Sequence, residues 1–286
     1  MSSATVKSPA LKRRRRLRWQ RVLAYALIVL LLFIAIFPCY WLLQMSFKTG
    51  VEAFKIPPSF IFVPTLRNYA DLLDTKFPLQ LRNSAVVATT TTVLALVLGV
   101  PAAYALSRAR FRHDRLLSLW ILFSRMLPPM GLAIPFFIIY RDLKWTDTLQ
   151  GLVVVYLTFS LALVIWTMRT FFDGIPRSLE EAAFIDGAGP LRTFLTVTVP
   201  LCGPGLAATA ILCFLLAWND FFFALILTRT QAMTAPVGII NFLNYEGWEW
   251  GKISAGGTVV MLPVVIFSLV VRQYLVQGLM TGAVKG

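Results

Sequence analysis

Six apolar runs separated by polar stretches organise this chain of 286 residues. A run of about 20 apolar residues is long enough for a helix to cross the hydrocarbon core of a bilayer. The pattern therefore predicts an all-α polytopic membrane protein with six transmembrane helices. The runs cover about 22–45, 84–106, 116–140, 152–171, 201–228 and 258–276.

Composition agrees with this pattern and excludes a soluble globular domain. Hydrophobic residues make up 58% of the chain, charged residues only 14%, and the mean hydropathy is +0.73. The net charge of +14 comes mainly from Lys and Arg in loops beside apolar runs, which is typical of membrane topology rather than nucleic-acid binding. Cys39, Cys202 and Cys213 lie in or beside apolar runs without metal-ligand spacing, so we expect packing residues and no metal site.

Two clusters of basic residues predict the orientation. The first lies at 12–16, in a basic tail (1–21) before a retained first span, and the second occupies 108–115 after the second span. Such clusters stay in the cytoplasm. Both termini are therefore expected on the cytoplasmic side of the membrane. We expect 22–83 to form the first span and an extracytoplasmic loop, 84–276 a core of five spans, and 277–286 a cytoplasmic tail.

The passage between the fourth and fifth runs predicts a helical hairpin at about 178–190. Ser178 followed by Glu181 is the spacing of a capping box, so a helix should begin directly after Ser178. Gly187 is placed to end that helix in a left-handed turn, and Pro190 suits the first position of a second helix. The charge pattern places this hairpin on the cytoplasmic side.

The same passage carries a resemblance to a known family. Glu181-Ala-Ala, three residues, Gly187, nine residues and Val197-x-Val-Pro200 resemble the EAA signature of ABC importer permeases. The resemblance implies a type I ABC importer permease fold, whose coupling helix docks in a groove of a cytoplasmic ATPase. The coupling residues that it implies are Glu180, Glu181, Ala182, Ala183, Asp186, Gly187 and Pro200.

Two further stretches narrow the resemblance to carbohydrate permeases. Trp218-Asn219-Asp220 resembles an element of that group, and the sequence Gly-Leu-Met-Thr-Gly-Ala-Val-Lys-Gly at the C-terminus resembles the tail that enters the ATPase dimer interface. The tail residues implied to contact the ATPase are Gly282, Val284, Lys285 and Gly286. Which sugar is transported does not follow from the sequence.

The implied partners are separate chains. The sequence has no G-x4-G-K-[ST] motif, so ATP and Mg²⁺ are expected on partner ATPase subunits, with no cofactor in this chain. No catalytic triad or paired carboxylate site is evident, and we expect a non-catalytic permease. The resemblance implies a second homologous permease, two ATPases, an extracytoplasmic solute-binding protein and a sugar substrate, all around a chain embedded in lipid.

Polar residues inside the spans are candidates for a translocation path. Arg125 lies near the middle of the third run and Asp220 in the outer half of the fifth. An ionisable group at such depth costs at least about 2.5 kcal/mol unless it is paired. Arg125, Asn219 and Asp220 are therefore candidate path residues, and an Arg125–Asp220 ion pair is possible. Pro128-Pro129 should break the third helix.

Two questions stay open at this stage. The aromatic residues of the loop at 229–257 suit either a membrane-interface belt or contact with a binding protein; the candidates for that contact are Asn241, Tyr245, Trp248 and Trp250. The alternative function is a secondary transporter driven by an ion gradient through Arg125 and Asp220. Internal inverted repeats would favour that alternative, and none is evident.

Overall fold

This computed structural model describes residues 9–109, 114–244 and 247–283, with side chains at 19–109, 116–243 and 249–271. The chain is helical almost throughout, with one small antiparallel β-ribbon in which Leu243 pairs with Trp248. The elements in chain order are α1 (Pro9–Ser46), α2 (Gly50–Ala53), α3 (Arg67–Leu73), α4 (Phe77–Arg108), α5 (Asp114–Met126), α6 (Pro129–Asp142), α7 (Leu149–Asp173), α8 (Arg177–Ile185), α9 (Pro190–Thr193), a π-helical segment (Phe194–Thr198), α10 (Val199–Leu201), α11 (Gly203–Trp218), α12 (Phe222–Leu227), α13 (Ala235–Gly238), a 3₁₀ turn (Ile239–Phe242), β1 (Leu243–Asn244), β2 (Gly247–Trp248) and α14 (Trp250–Ala283).

Four straight helices within the described ranges are long and apolar enough to cross a membrane: Trp19–Ser46, Phe77–Arg108, Leu149–Asp173 and Trp250–Val271. Two bent pairs would complete the predicted six if each pair is one span. The first pair, α5 with α6, bends by 89° at the proline pair that was predicted to break the third span. The second bends by 79° at Cys202, between Pro200 and Pro204.

The bundle is built around α4, which packs along α7 and against α11, while α14 packs on α1 and α11. Glycines allow these helices to approach closely: Gly99 of α4 faces Val164 of α7, and Gly205 of α11 faces the ring of Phe171. By contrast, the described side chains of α1 up to residue 40 are exposed and mostly apolar. That surface suits contact with lipid.

Several predicted boundaries differ from the observed ones. The second span begins at Phe77 rather than at 84, and the last helix begins at Trp250 rather than at 258 and continues through the predicted tail to Ala283. Gly251, in the first turn of α14, lies against the side chain of Asn68, where a Cβ atom would clash. The fifth predicted run, 201–228, is also interrupted between α11 and α12, where Asp220 Oδ1 accepts the amide hydrogens of Phe223 and Ala224.

Candidate functional site

The hairpin formed by α8 and α9 is present, but its first helix starts differently from the prediction. Pro176 occupies the N-cap position with an extended backbone, so α8 begins at Arg177 and Ser178 lies inside the first turn. The predicted capping box between Ser178 and Glu181 is therefore wrong, because no side chain caps this helix. A capping box does form at α2, where Thr49 and Glu52 bond reciprocally.

The other end of α8 has the predicted geometry. Gly187 adopts a φ of +83°, and the amide of Ala188 donates to the carbonyl of Ala183 at 2.9 Å. The amide of Gly187 donates to Phe184 at 3.0 Å, which completes a glycine-terminated helix end. Pro190 then opens α9 as its first residue. A defined turn thus joins the two short helices α8 and α9 at this end of the bundle.

The adjacent glutamates of α8 point in opposite directions. Glu181 is exposed, whereas only 5% of Glu180 is accessible. Large apolar side chains accompany Glu181 on the exposed side, with Ile185 86% and Leu191 71% exposed. We term the exposed set of six residues the hairpin outer face; it comprises Leu179, Glu181, Phe184, Ile185, Asp186 and Leu191. Of the other predicted coupling residues, Ala182, Gly187 and Pro200 are also exposed, and Ala183 is half-buried.

Glu180 turns inward into a set of polar side chains that we term the Glu180 cluster: Tyr104, Arg108, Glu180 and Thr198. Arg108 Nε donates to both carboxylate oxygens of Glu180 at 2.9 Å. The hydroxyl of Thr198 donates to Oε1 at 3.1 Å, and that of Tyr104 donates to Oε2 at 3.3 Å. One carboxylate therefore joins α8 to the end of α4 and to the π-helical segment.

Further bonds surround the cluster. Arg108 Nη2 donates to the carbonyl of Ile175 at 3.2 Å, and Nη1 donates to the hydroxyl of Ser107 at 3.1 Å. That hydroxyl in turn donates to Asp173 at the end of α7. Sequence reasoning treated Arg108 only as a charge in a basic loop and did not identify Tyr104 or Thr198. Of these three residues, only Arg108 could have been singled out from the sequence, because it is the charged residue nearest to the end of the second apolar run.

A cavity of about 220 Å³ lies between the two parts of the third span and helices α7, α11 and α12. Two of the candidate path residues, Arg125 and Asp220, line it, but they form no ion pair within 4.0 Å in the described structure. Asn219 is exposed and donates to the carbonyl of Leu215, so it does not line the cavity. The lining is Arg125, Pro129, Tyr156, Phe159, Ser160, Leu216, Ala217, Asp220 and Phe223.

The end of the bundle away from the hairpin carries two open pockets of about 300 and 330 Å³. Trp250 lines the first beside α2 and α3, and the exposed Asn241 lines the second; Glu249 and Lys252 lie in the wall of both. Of the other predicted contact residues, Trp248 belongs to β2, and Tyr245 lies outside the described residues. In the tail, Gly282 belongs to α14, whereas Val284, Lys285 and Gly286 also lie outside the described residues.

At the same end, Asp147 forms a connection that the sequence did not indicate. Its carboxylate accepts hydrogen bonds from the four consecutive backbone amides at 229–232, at 3.0 to 3.2 Å. Burial alone would raise the pKa of this carboxyl group, but the backbone hydrogen bonds outweigh it and lower the pKa to about 2. The turn between α6 and α7 is thereby fixed to the segment after α12.

The described residues include no group of His, Cys, Asp and Glu side chains that could hold a metal ion. What they do present is a bundle of membrane-crossing helices with a helical hairpin exposed at one end and an internal cavity, where Arg125 and Asp220 lie among mostly apolar side chains. These features are typical of a class: the transmembrane subunit of a transporter.

The comparisons with known proteins identify the family. A family profile described as "Binding-protein-dependent transport system inner membrane component" matches residues 92–281. The chain belongs to this family of ABC transporter permeases. It is 42% identical over 258 residues to the trehalose transport system permease protein SugB of Mycobacterium tuberculosis, which covers 88% of this chain and 93% of that protein.

Two further relatives extend the comparison over nearly the whole chain. The trehalose/maltose transport system permease protein MalG of Thermococcus litoralis is 35% identical over 272 residues, which are 93% of this chain and 98% of that one. A chain in the crystal structure of a bacterial ABC transporter involved in the import of alginate superposes with a TM-score of 0.76 at 27% identity. That alignment covers 95% of this chain and 99% of the other.

Proposed function

We propose that this chain is the transmembrane permease subunit of an ATP-driven, binding-protein-dependent importer of oligosaccharides or polyols. The single observation that carries the proposal is the hairpin outer face, which presents Glu181 and large apolar side chains on a short helix that ends at Gly187. The named relatives transport trehalose or maltose, and the superposed transporter imports a polysaccharide. These names support a carbohydrate as the substrate class.

The proposed partners follow from what the chain lacks and what it exposes. ATP and Mg²⁺ would be held by two ATPase subunits, since this sequence has no phosphate-binding loop, and the chain itself would be non-catalytic. A second, homologous permease would supply the other half of the translocation path. A solute-binding protein would dock at the opposite end, where Asn241 and Trp250 line the open pockets.

The proposed mechanism is alternating access. ATP binding closes the two ATPases, the hairpins follow the ATPase surfaces, and the spans turn outward to accept sugar from the binding protein. Hydrolysis then resets the assembly. The apolar side chains of Phe184, Ile185 and Leu191 suit a groove in the ATPase, and burying them on docking would supply most of the binding free energy.

The proposed function implies an orientation of the chain in the membrane and a location for the translocation path. The hairpin and both termini would be cytoplasmic, in the inner membrane of a bacterium, and the Asp147 turn would be extracytoplasmic. The cavity between Arg125 and Asp220 would belong to this chain's half of the path, where Phe159 and Phe223 offer aromatic faces beside polar groups. Family membership favours this ATP-driven mechanism over ion-gradient transport through the same two residues.

Co-purification tests the proposal. The chain is tagged at native expression level in its own organism, extracted in mild detergent, and its partners are identified by mass spectrometry. We expect an ATPase with a phosphate-binding loop and a second six-span permease. Glu181→Lys should reduce the recovered ATPase, whereas the control Asp142→Lys changes an exposed acid at the opposite end and should not. Recovery of the wild-type chain alone would contradict the proposal.

A further inference from the structure

The backbone connections of α8 to the rest of the chain contain glycine residues. Gly174 separates α7 from α8, and Gly187 and Gly189 lie between α8 and α9. Glycine permits a wider range of backbone angles than other residues, so the peptide links alone do not ensure that α8 and the spans move together. Side-chain contacts must therefore decide whether α8 and the bundle move as one body.

The Glu180 cluster provides those contacts. The side chains of Arg108 and Glu180 are only 14% and 6% exposed, and their ion pair joins α8 to the end of α4. Removing one partner from a buried ion pair leaves an uncompensated charge, so such a pair resists separation more strongly than an exposed one. Arg108 also holds the carbonyl of Ile175, which fixes the link that leads into α8.

Thr198 extends the cluster to the fifth span. It is fully buried at the end of the π-helical segment, four residues before the bend at Cys202. A π-helical turn has a wider, less regular hydrogen-bond pattern than an α-helix and is frequent at functional sites. The hydroxyl of Thr198 donates to Glu180, so a displacement of α8 acts directly on the segment where the chain bends into α11.

We propose that Glu180 is a positioning residue that transmits the movement of the hairpin to α4 and to the bend before α11. The two adjacent glutamates then have separate tasks: Glu181 faces the partner ATPase, and Glu180 fastens the helix to the membrane domain. The inference rests on the proposed function, because transmission matters only if an ATPase moves the hairpin. It differs from the sequence interpretation, which grouped both glutamates as ATPase-coupling residues.

Distances between spin labels test directly whether Glu180 holds α8 on α4. Labels are placed at Ser178, which is exposed on α8 outside the hairpin outer face, and at Leu98, which is 52% exposed on α4, in a chain whose three cysteines are replaced by alanine. The assembled transporter is measured in lipid nanodiscs without nucleotide and with ATP and vanadate. For native Glu180 we expect one narrow distance distribution that is the same in both states.

Glu180→Gln keeps the shape of the side chain and removes its charge. We expect the label distance to broaden or to differ between the two states, and transport per ATP hydrolysed to fall at least about fivefold, the lower end of usual coupling between sites. The exchange Glu180→Arg with Arg108→Glu should narrow the distribution again. Asp142→Asn, at an exposed acid at the opposite end of the bundle, serves as the control and should leave distance and transport as they are.

Thr198→Val provides an independent variant if the charge changes prevent folding, because it keeps the branched shape of the side chain and removes the hydroxyl that bonds to Glu180. A narrow, state-independent distance and normal transport in Glu180→Gln or Thr198→Val would overturn the inference while leaving the importer function intact. Failure of the wild-type chain to bind an ATPase or to transport would instead contradict the proposed function itself.

Discussion

The hydroxyl of Thr230 donates a hydrogen bond to Oδ2 of Asp147, 83 residues earlier in the chain, at 3.1 Å. Together with the amides at 229–232, it surrounds the carboxylate with donors. Asp147 has a φ of 56°, which Asn tolerates as well as Asp. Asp147→Asn therefore removes the charge without backbone strain, and we expect a loss of about 2 kcal/mol, the usual value for hydrogen bonds to a charged group.

The thermal unfolding midpoint in detergent measures this loss. The control is Asp142→Asn, because Asp142 is exposed and pairs only with the neighbouring Arg141 in the part of the chain that the structure describes. We expect a lower midpoint for Asp147→Asn and almost no change for the control. Equal midpoints for the two variants would show that the Asp147 connection contributes nothing measurable to stability.

The same carboxylate predicts a pH dependence. Its pKa is lowered from 3.8 to about 2 in the folded protein. A carboxyl group whose pKa is lower in the folded state stabilises the fold fully above its unfolded pKa and loses that contribution as the pH falls through the folded value. As the pH falls from about 4 to about 2, wild type should lose more stability than Asp147→Asn, because only the wild-type carboxylate takes up a proton in this range. Parallel pH profiles for the two proteins would contradict this prediction.

Local sequence signals predicted the spans and the end of α8, because apolar length, Gly187 and Pro190 act within a few residues. They failed for the starts of two helices. Ser178 had the spacing of a capping residue, yet Pro176 starts the helix earlier and takes the cap position. The last helix likewise starts before the apolar run that predicted it, and its first turn packs against Asn68, which is remote in sequence.

The contacts around Glu180 in the candidate site also could not be predicted from local sequence signals. Arg108 lies 72 residues from Glu180, and Tyr104 lies 76 residues away, so no spacing along the chain brings them together. The two glutamates also look alike in sequence, since both stand in the first turns of a short helix. Only the packing of α8 on α4 shows that Glu180 is buried and Glu181 exposed.

Gly205 is predicted to be intolerant of a side chain. A Cβ atom at this position would lie 2.6 Å from ring carbons of Phe171, which is half-buried and packs against the core. Gly205→Ala should cost about 1–3 kcal/mol through overpacking. Gly203→Ala is the matched control two residues away, because no atom lies within 4 Å of a Cβ built there. Unfolding midpoints of both variants in detergent check the difference, and equal midpoints would contradict it.

Lys48 is predicted to hold the connection between α1 and α3. It is 1% exposed; its Nζ donates to the carbonyl of Ser59 at 2.7 Å and lies 5.2 Å from the ring centroid of Trp41. Lys48→Met keeps the length of the side chain but removes this bond, so the segment at 54–62 should open more often. We expect faster chymotrypsin cleavage there, by about fivefold for a loss of about 1 kcal/mol.

Lys55→Met is the control for that measurement, since Lys55 is exposed in the same segment and forms no side-chain hydrogen bond among the described residues. Its cleavage rate should match wild type. If Lys48→Met is cleaved no faster than Lys55→Met, the buried amine does not determine the order of this segment.

Substitutions at Gly187 and Gly189 distinguish the effect of backbone conformation from the effect of steric crowding in the hairpin. A Cβ atom would meet nothing within 4 Å at either position, but only Gly187 has a positive φ, at +83°. A side chain in that left-handed conformation costs roughly 1–2 kcal/mol. Gly187→Ala should therefore loosen the end of α8 and reduce both ATPase co-purification and transport, whereas Gly189→Ala should reduce neither. Equal ATPase recovery from the two variants would mean that the left-handed turn does not set the docking geometry of the hairpin outer face, and the apolar side chains of that face would then have to account for docking alone.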